Sequence, residues 1–436
     1  MSASLRGRLI EVSARSLLVD TGDSMWRLTV ACDVSSLCAG DFIAVHADPV
    51  SVTDSIGVAQ NVTLLARPQG TGQPFPSPGG DYFRLNCDRR RHLLSLRALA
   101  LASIRNYFAA HDFLEIEAPL IVPSPGLELH LQGFSVAASD GKGPPRYLIT
   151  SPEYQLKRLL TSGLTRIYSL GKVFRSGESG PFHNPEFTML EFYRAYEGWQ
   201  SVATDVAALA ERLATEIHGS PRFVRHVEGI PQTIDLSLPW QTHTVASVVK
   251  THAGIDLRGD ETVDELRDKI AVAGFRIPSP SRTDSAGNPY YAWDDLFFSM
   301  FLDQVEPKLM HAGEDGIHRP IVLCDWPAPL CALARKRPDN PAVVERFEAY
   351  VAGLELCNGF GELCDPVEQR QRFLKDQQER RVRDLPQYPL DERFLSALAE
   401  GMPPAGGVAL GIDRLLMLIL DAPHIRDVLA FGVDEL

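Results

Sequence analysis

No apolar run in this chain of 436 residues approaches the roughly 20 residues that a membrane-spanning helix needs. The N-terminal residues MSASLRGRL also lack the apolar region of a secretory signal peptide. The seven cysteines are odd in number and lie mostly among apolar residues, as reduced core thiols do. We therefore expect a cytoplasmic protein with no membrane partner.

Two further features are missing from the sequence. The spacings Cys324–Cys331 and Cys357–Cys364 lack the CxxC pattern that structural zinc sites use, which disfavours a zinc centre. An excess of basic residues is also missing, because 43 Lys and Arg stand against 56 Asp and Glu, for a net charge of −13. A broad nucleic-acid surface normally needs a basic face, so the composition disfavours one and leaves room only for a local basic patch.

The length favours a large catalytic body with a small appendage. Five short strand-like segments separated by turn residues predict a small all-β barrel over residues 1–68, of the oligonucleotide/oligosaccharide-binding (OB) type. The sequence favours a binding role for this barrel no more than a role as structural cap or dimerisation module. Residues 69–81 are rich in Pro and Gly and predict a linker, which leaves residues 82–436 as the main domain.

The segment FRSGESGPFHNPEFTMLEFY, residues 174–193, combines Arg175, a glycine-rich polar loop and an alternating run. The loop is typical of one that holds a triphosphate. Four side chains then recur with period two and should share one face of a strand: Phe187, Met189, Glu191 and Tyr193. A carboxylate on such a face is costly to bury without a cation, so we expect the face to bind an amine.

The segment ERFEAYVAGLELCNGFGEL, residues 345–363, predicts a hairpin that turns at Ala352 and Gly353. If the turn has two residues, Glu348 and Glu355 lie diagonally on one face, where they would suit Mg²⁺ bridging phosphate oxygens. A bulge at Gly353 would separate them. An acidic hairpin facing solvent is the alternative without a site, and the further carboxylate and amide in NGFGE favour the site.

The segment GGVALGIDRLLMLIL, residues 406–420, places small residues in a strand and Arg414 at the start of an apolar helix. Small residues let a ligand or a backbone approach closely. Arg414 and Arg175 are permanently charged and bind oxyanions bidentately, so together they would hold the two ends of a triphosphate.

These segments together resemble class II aminoacyl-tRNA synthetases. Phe174-Arg175 with His183 and Phe187 is similar to motif 2, GVALGIDR to motif 3, and FLEIEAPLIVPSPG, with Pro119, to motif 1, which forms the dimer interface. TSPEYQLKRLL and HNPEFTMLEFY are similar to the lysyl-tRNA synthetase branch in particular. The chain most resembles the truncated relatives of that branch, the elongation factor P lysyltransferases, which attach (R)-β-lysine to a lysine side chain of elongation factor P.

The resemblance covers residues 82–436 and leaves the barrel unexplained. It implies an α+β fold, with a class II synthetase-type antiparallel sheet flanked by helices. It also implies three sets of site residues. The set for ATP, in which Arg175 and Arg414 are catalytic, is Arg175, Glu178, His183, Asn184, Phe187, Glu348 and Arg414. The set for the amino acid is Ser151, Glu153, Glu191, Tyr193, Asn358, Glu362 and Ala409. The set for Mg²⁺ is Glu348 and Glu355.

Within these sets the resemblance assigns individual contacts. Arg175 would contact the α-phosphate and the substrate carboxylate. His183 and Arg414 would hold the outer phosphates, with Phe187 and Arg414 against the adenine. The substrate's ε-ammonium would be received by Glu191, Tyr193 and Glu362, its other amine by Glu153, and its carboxylate by Asn358.

Two positions depart from the synthetase pattern. Motif 2 usually has Glu two residues after its Arg, but Gly177 stands there, and we expect Glu178 to supply the adenine-side contact. Ala409 stands where lysyl-tRNA synthetases usually have Gly. Its methyl would favour an amine shifted along the chain, as in β-lysine, although one methyl discriminates by only roughly 1–3 kcal/mol.

The expected function is that of an ATP-dependent ligase that forms a lysyl- or β-lysyl-adenylate. Its expected partners are elongation factor P as acceptor, lysine or β-lysine as small substrate, and a second copy of the chain in a homodimer. tRNA is the less favoured acceptor, because a lysyl-tRNA synthetase needs an anticodon-reading domain and residues 1–68 are a shortened candidate. A catalytically silent paralogue is the third alternative, against which the intact Arg175, Glu348, Glu355 and Arg414 argue. The loop 276–290 is either a lid or an insertion.

Overall fold

The structure is a computed structural model that describes residues 3–51, 53–69, 75–87, 89–137, 141–280, 282–283, 289–309 and 311–436. Residues 70–74 of the predicted linker and 281 and 284–288 of the predicted lid or insertion lie outside the described residues. The chain divides into two compact units, Met1–His92 and Leu93–Leu436. In the described part of the chain, no helix is long and apolar enough to span a membrane.

The first unit confirms the predicted five-stranded barrel. Its strands are β1 (Ala3–Val12), β2 (Ser16–Asp20), β3 (Met25–Val30), β4 (Phe42–Ser51) and β5 (Ile56–Ala66), which close in the order β1-β2-β3-β5-β4. Buried and exposed positions alternate along β3, as they must when one face of a strand fills a barrel. The interior is apolar and is formed by residues such as Leu9, Val19, Leu28, Ile43 and Val45.

The remaining helices and strands follow in chain order. Up to the first long hairpin they are α1 (Asp81–Cys87), α2 (Arg90–Ala110), β6 (Leu114–Glu115), β7 (Ile121–Val122), β8 (Ser135–Val136), β9 (Arg146–Leu148), α3 (Glu153–Thr161), β10 (Arg166–Phe174) and β11 (Glu186–Ala195). The middle of the chain contains α4 (Trp199–His218), β12 (Arg222–Val227), β13 (Ile230–Asp235), β14 (Gln241–Thr244), α5 (Val245–Ala253), α6 (Val263–Val272), β15 (Arg282–Thr283), β16 (Pro289–Tyr290), α7 (Trp293–Gln304) and α8 (Glu306–Leu309). The last part contains β17 (Ile317–His318), β18 (Ile321–Pro327), β19 (Val343–Val351), β20 (Leu354–Gly361), α9 (Pro366–Val382), α10 (Glu392–Glu400), β21 (Ala405–Gly411) and α11 (Ile412–Ile419).

Among the described residues of the second unit, eight strands form one sheet in the order β14-β18-β19-β20-β21-β11-β10-β6. Neighbours from β18 to β10 are antiparallel, and the two edge pairs are parallel. Together with the flanking helices, this confirms the expected α+β class and its antiparallel sheet.

The register of the sheet aligns predicted site residues in one row. Glu348 on β19 lies opposite Asn358 on β20, Asn358 opposite Ala409 on β21, and Ala409 opposite Glu191 on β11. Directly paired residues of antiparallel strands point to the same face, so all four side chains share one side of the sheet. The strands bury Leu190, Phe192, Val408 and Leu410 on the opposite face, in a core that includes buried residues of α4 and α11.

The hairpin between β19 and β20 turns as the sequence predicts. Val351 pairs with Leu354, so Ala352 and Gly353 form a two-residue turn, and both have the positive φ that such a turn requires. The register shift lies at Ala349/Tyr350 rather than at Gly353. Tyr350 lies opposite Glu355 and two residues after Glu348, so Glu348 and Glu355 share one face.

Candidate active site

A cavity of about 660 Å³ lies over the polar face of the sheet in the second unit. Nine of the predicted site residues line it: Arg175, Glu178, His183, Asn184, Phe187, Glu355, Asn358, Ala409 and Arg414. Three distant segments of the sequence therefore meet in one cavity. The other six predicted site residues do not line the cavity: Ser151, Glu153, Glu191, Tyr193, Glu348 and Glu362.

Arg414 links the three segments at one end of the cavity. It lies in the first turn of α11, where its Nη2 is 2.6 Å from Nε2 of His183 and its Nη1 donates to the backbone carbonyl of Glu355 at 3.1 Å. Burial and the adjacent guanidinium both lower the pKa of His183. A neutral imidazole that turns its lone pair to Arg414 satisfies this geometry.

Arg175 follows the end of β10 and enters the cavity beside the motif 2-like loop. Its guanidinium carbon lies 5.1 Å from the ring centre of Phe187, and its Nη1 is 3.9 Å from a carboxylate oxygen of Glu178. Its buried Nε has no hydrogen-bond partner among the described residues. Burial lowers the pKa of Arg175, so this cation is poorly solvated and is suited to an anionic ligand.

The loop between β10 and β11 is held by its backbone and by Asn184. The Arg175 N–H donates to the Pro185 carbonyl at 2.8 Å, and Gly177 takes a positive φ of 81°. Asn184 donates to the carbonyl of Glu186 at 2.7 Å and accepts from the N–H of Val433 at 3.1 Å. In this structure the Asn184 amide therefore fixes the loop that lines the cavity.

The carboxylates Glu348 and Glu355 differ in their surroundings. Glu348 is buried, with Oε1 2.5 Å from Nη2 of Arg346 and Oε2 accepting from the Tyr350 hydroxyl. Glu355 lines the cavity, so its side chain remains partly open to solvent although protein surrounds it. This enclosure and then the repulsion from Glu348 raise the pKa of Glu355 to about 7. No group of three or more His, Cys, Asp and Glu side chains within the described ranges is arranged to hold a metal ion. These two carboxylates alone would therefore not complete the ligand set of a divalent ion, which would need further oxygens from a bound phosphate or from water.

A second group of polar residues is buried beside the cavity. This carboxylate cluster consists of Ser151, Glu153, Lys157, Glu191, Tyr193 and Glu362. Glu191 accepts hydrogen bonds from Ser151 Oγ at 2.5 Å and from the Tyr193 hydroxyl at 2.7 Å. The Nζ of Lys157 lies 2.5 Å from one oxygen each of Glu153 and Glu362.

The cluster adjoins the cavity through the row of paired residues. Ala409, which lines the cavity, lies between Glu191 on one side and Asn358 on the other. The buried Oδ1 of Asn358 has no hydrogen-bond partner among the described residues. A ligand in the cavity that passes Ala409 along the sheet would therefore reach Glu191.

Burial sets the protonation of the cluster. It raises the pKa of Glu191 to about 8, with a further contribution from the charge of Glu153, against the hydrogen bonds from Ser151 and Tyr193. Burial also raises the pKa of Glu362 to about 8, which the ammonium of Lys157 opposes. These carboxylates gain from a cation, as the prediction of an amine-binding face requires.

Sequence reasoning missed two residues that shape the site, Lys157 and Asp413. Lys157 lies one helical turn after Glu153 on α3. The only sequence feature that could have indicated its burial is its place beside Leu156 and one turn before the region of Leu160, both of which are buried. Asp413 accepts from the Thr188 N–H at 2.8 Å and from Arg97 Nη1 at 2.5 Å, which fixes the start of α11 against β11. Its role depends on contacts between distant segments, for which a single sequence carries no signal.

The chain matches known proteins over both units. Residues 80–435 match the family described as tRNA synthetases class II (D, K and N). The chain is 37% identical over 358 residues to an elongation factor P–(R)-beta-lysine ligase of Haemophilus influenzae, which covers 81% of this chain and 98% of that protein. It is also 32% identical over 422 residues to a lysine–tRNA ligase of a Synechococcus species. This match covers 94% of this chain and 80% of that protein. A lysine–tRNA ligase of Prochlorococcus marinus is 36% identical over 341 residues, but only 63% of its length is spanned. The chain therefore belongs to the class II tRNA synthetase family of the D, K and N type.

Proposed function

We propose that the chain is an ATP-dependent ligase that activates (R)-β-lysine, or lysine, as an acyl-adenylate and transfers it to a lysine side chain of elongation factor P. The observation that carries this proposal is the division of the site into two adjoining parts. One part is the cavity with Arg175, His183 and Arg414, and the other is the buried carboxylate cluster. A nucleotide fits the first part, and a dicationic amino acid fits the second.

The first step joins the amino-acid carboxylate to the α-phosphorus of ATP and releases pyrophosphate. A carboxylate is already ionised at neutral pH, so the step needs no protein base, and positioning with charge stabilisation carries it. Arg175 would hold the α-phosphate and the substrate carboxylate together, since it lies between Phe187 and Glu178 with an unpartnered Nε. His183 and Arg414 would hold the outer phosphates.

Class II tRNA synthetases use ATP, and we propose that Mg²⁺ accompanies it here. Glu348 and Glu355 fit a hard cation because they offer carboxylate oxygens on one face, and their repulsion contributes to the raised pKa of Glu355. When bound, Mg²⁺ would neutralise charge on the phosphate oxygens. The residues of the chain would hold it only in part, with the phosphates as the other ligands.

The second step forms an amide bond between the acceptor's side-chain nitrogen and the acyl carbon, and breaks the bond from that carbon to the AMP oxygen. The nitrogen loses one proton in the step. We assign this proton to a phosphate oxygen of the departing AMP. No side chain of the cavity is assigned as the base for this step.

The position of Ala409 makes a specificity prediction. Its methyl lies in the row between Glu191 and Asn358, beside the path from the cavity to the cluster. We expect Ala409→Gly to shift the ratio of kcat/KM values from β-lysine toward α-lysine by about 10-fold, the effect of one methyl group. Pyrophosphate exchange with both amino acids measures the ratio. An unchanged ratio would mean that the methyl plays no part in selection.

The raised pKa of Glu191 makes a pH prediction. Below about pH 8 the buried carboxyl of the ligand-free protein holds a proton, and the protonated form attracts an ammonium group poorly. We expect kcat/KM for the amino acid to rise from about pH 6 to about pH 8, whereas kcat changes less because a bound ammonium stabilises the carboxylate. Glu191→Gln is the matched control and should make the rise smaller, leaving only the part due to Glu362, whose pKa is also about 8. A flat wild-type profile would contradict the assignment.

A lysine–tRNA ligase is the second candidate. The match to the Synechococcus lysine–tRNA ligase covers 94% of the chain and so extends into the barrel, whereas the Haemophilus ligase match covers 81%. The acidic net charge of −13 favours a protein acceptor over tRNA.

One experiment distinguishes the candidates. Pyrophosphate exchange is measured with α-lysine and with (R)-β-lysine, and the products are then analysed by mass measurement of elongation factor P and of tRNA. Exchange with β-lysine and a mass increase on elongation factor P are the expected results. Acylated tRNA would favour the second candidate, and exchange with neither amino acid would indicate a silent paralogue.

We further propose a homodimer through the segment that resembles motif 1. Leu114, Leu120 and Ile121 are large apolar side chains in this segment, and each is about half exposed in the isolated chain. Several large apolar side chains exposed along one short segment are more than single scattered ones and favour an interface. Sedimentation equilibrium should then give about twice the 48.1 kDa mass of the chain.

A further inference from the structure

A fully buried ammonium group lies within the carboxylate cluster. Lys157 has no exposed surface, and its Nζ lies 2.5 Å from Glu153 Oε1 and 2.5 Å from Glu362 Oε2. A lysine is retained so far from water only where opposite charges match it. The two carboxylates raise the pKa of Lys157 against the effect of burial, so it stays charged.

The two carboxylates come from different parts of the chain. Glu153 and Lys157 are one turn apart on α3, so the helix itself aligns them. Glu362 follows the end of β20, and its N–H donates to the Ala405 carbonyl at 2.9 Å. Lys157 thus ties the start of α3 to the sheet at the point where the cluster is formed.

Glu191 is held in another way. Its two oxygens accept from the neutral hydroxyls of Ser151 and Tyr193, and no cation of the described residues lies within ion-pair distance of it. The cluster therefore contains three carboxylates and one ammonium. When all three are ionised, as a bound cation favours, the net charge of the cluster is −2, which the two amines of lysine or β-lysine would balance.

We propose that Lys157 is a positioning residue for the amino acid: an internal ammonium that holds Glu153 and Glu362 in place before the substrate arrives and leaves Glu191 for the substrate's terminal ammonium. The inference rests on the proposed function, since amino-acid activation is its main readout. It adds to the roles that the resemblance implies, because Lys157 contacts Glu153 and one oxygen of Glu362, whereas Glu191 is held only by neutral hydroxyls.

Substitution of Lys157 by Ala tests the proposal. The variant leaves Glu153 and Glu362 without their cation and opens a space the length of three carbons and one nitrogen. We expect KM for the amino acid to rise about 10- to 100-fold, as for the loss of charge-assisted hydrogen bonds, with KM for ATP within about twofold of wild type. Propylammonium ions, which match the deleted atoms, should restore amino-acid binding, and tetramethylammonium should not.

Lys157→Met is the matched control. Methionine has a similar length but no charge, so it fills the space and should impair amino-acid binding without being rescued by propylammonium. If Lys157→Ala does not fold, Lys157→Met carries the test through its amino-acid KM alone. A value within about twofold of wild type would overturn the proposal.

Further outcomes would contradict either the positioning role of Lys157 or the proposed function. A folded Lys157→Ala protein that propylammonium does not rescue, or whose KM for ATP rises as much as that for the amino acid, would show that Lys157 is merely structural. Wild-type protein that exchanges pyrophosphate with neither lysine nor β-lysine would refute the proposed function instead. The two failures are therefore distinguishable.

Discussion

Replacement of Arg175 by Lys should lower the rate of pyrophosphate exchange by about 100- to 1,000-fold, the range seen when one preorganised donor to a developing charge is removed. The reason is geometric. The guanidinium carbon of Arg175 lies 5.1 Å from the ring centre of Phe187, and its Nη1 lies 3.9 Å from Glu178, so two contacts place the group in the cavity before ATP binds. An ammonium group keeps the charge but loses the planar fork that bridges two oxyanions.

The control for Arg175→Lys is an Arg-to-Lys substitution at a position where we expect little effect on activity or stability. Arg370→Lys is suitable, because Arg370 is exposed on α9 and pairs with the exposed Glu392. The Arg370→Lys variant should catalyse pyrophosphate exchange at the wild-type rate, and its melting temperature should equal that of Arg175→Lys. If the folded Arg175→Lys protein keeps more than about a third of the wild-type rate, Arg175 does not bridge the two reacting groups.

The fold could largely be predicted from the sequence because its signals are local. Alternating apolar residues and turn residues predicted the barrel, and Ala352-Gly353 predicted the hairpin that brings Glu348 and Glu355 to one face. Period-two spacing likewise predicted the shared face of Phe187 and Glu191. Each of these inferences concerns residues within one or two neighbouring strands.

The arrangement of the site could be predicted only in part. The resemblance assembled Arg175, His183 and Arg414, which do meet in one cavity. It did not indicate that Glu191 and Glu362 lie outside the cavity lining, nor that Lys157 already occupies the space between Glu153 and Glu362. Whether a buried carboxylate faces a ligand or a side chain of the same chain depends on packing between distant segments, which one sequence does not record.

The glycines of β21 illustrate this limit. From the sequence, the small residues of GGVALG predicted a strand that a ligand or another backbone approaches closely. In the structure a Cβ added to Gly407 would lie 2.3 Å from Oε1 of Glu362 and 2.3 Å from a ring carbon of Tyr193. The close approach is therefore made by the protein's own cluster residues, and the missing side chain at position 407 is what lets them occupy their places.

Gly407→Ala should consequently raise KM for the amino acid about 10- to 100-fold, because the new methyl must displace Glu362 or Tyr193 and so weakens the charge-assisted contacts of the cluster. The affinity for ATP should stay within about twofold, since Gly407 does not line the cavity that contains Arg175 and Arg414. Overpacking should also cost about 1–3 kcal/mol of stability, visible as a lower melting temperature. Exchange kinetics with each substrate varied in turn separate the two affinities.

Gly171→Ala is the matched control for Gly407→Ala. Gly171 lies on β10 of the same sheet, and a Cβ there meets no atom of the described residues within 4 Å. This variant should retain both KM values, whereas a general effect of alanine in a strand would alter both proteins alike. If Gly407→Ala binds the amino acid as wild type does, the cluster tolerates displacement of Glu362 and Tyr193. Neither residue could then set the geometry in which the amine is held, and the carboxylate cluster would have to be assigned a structural role.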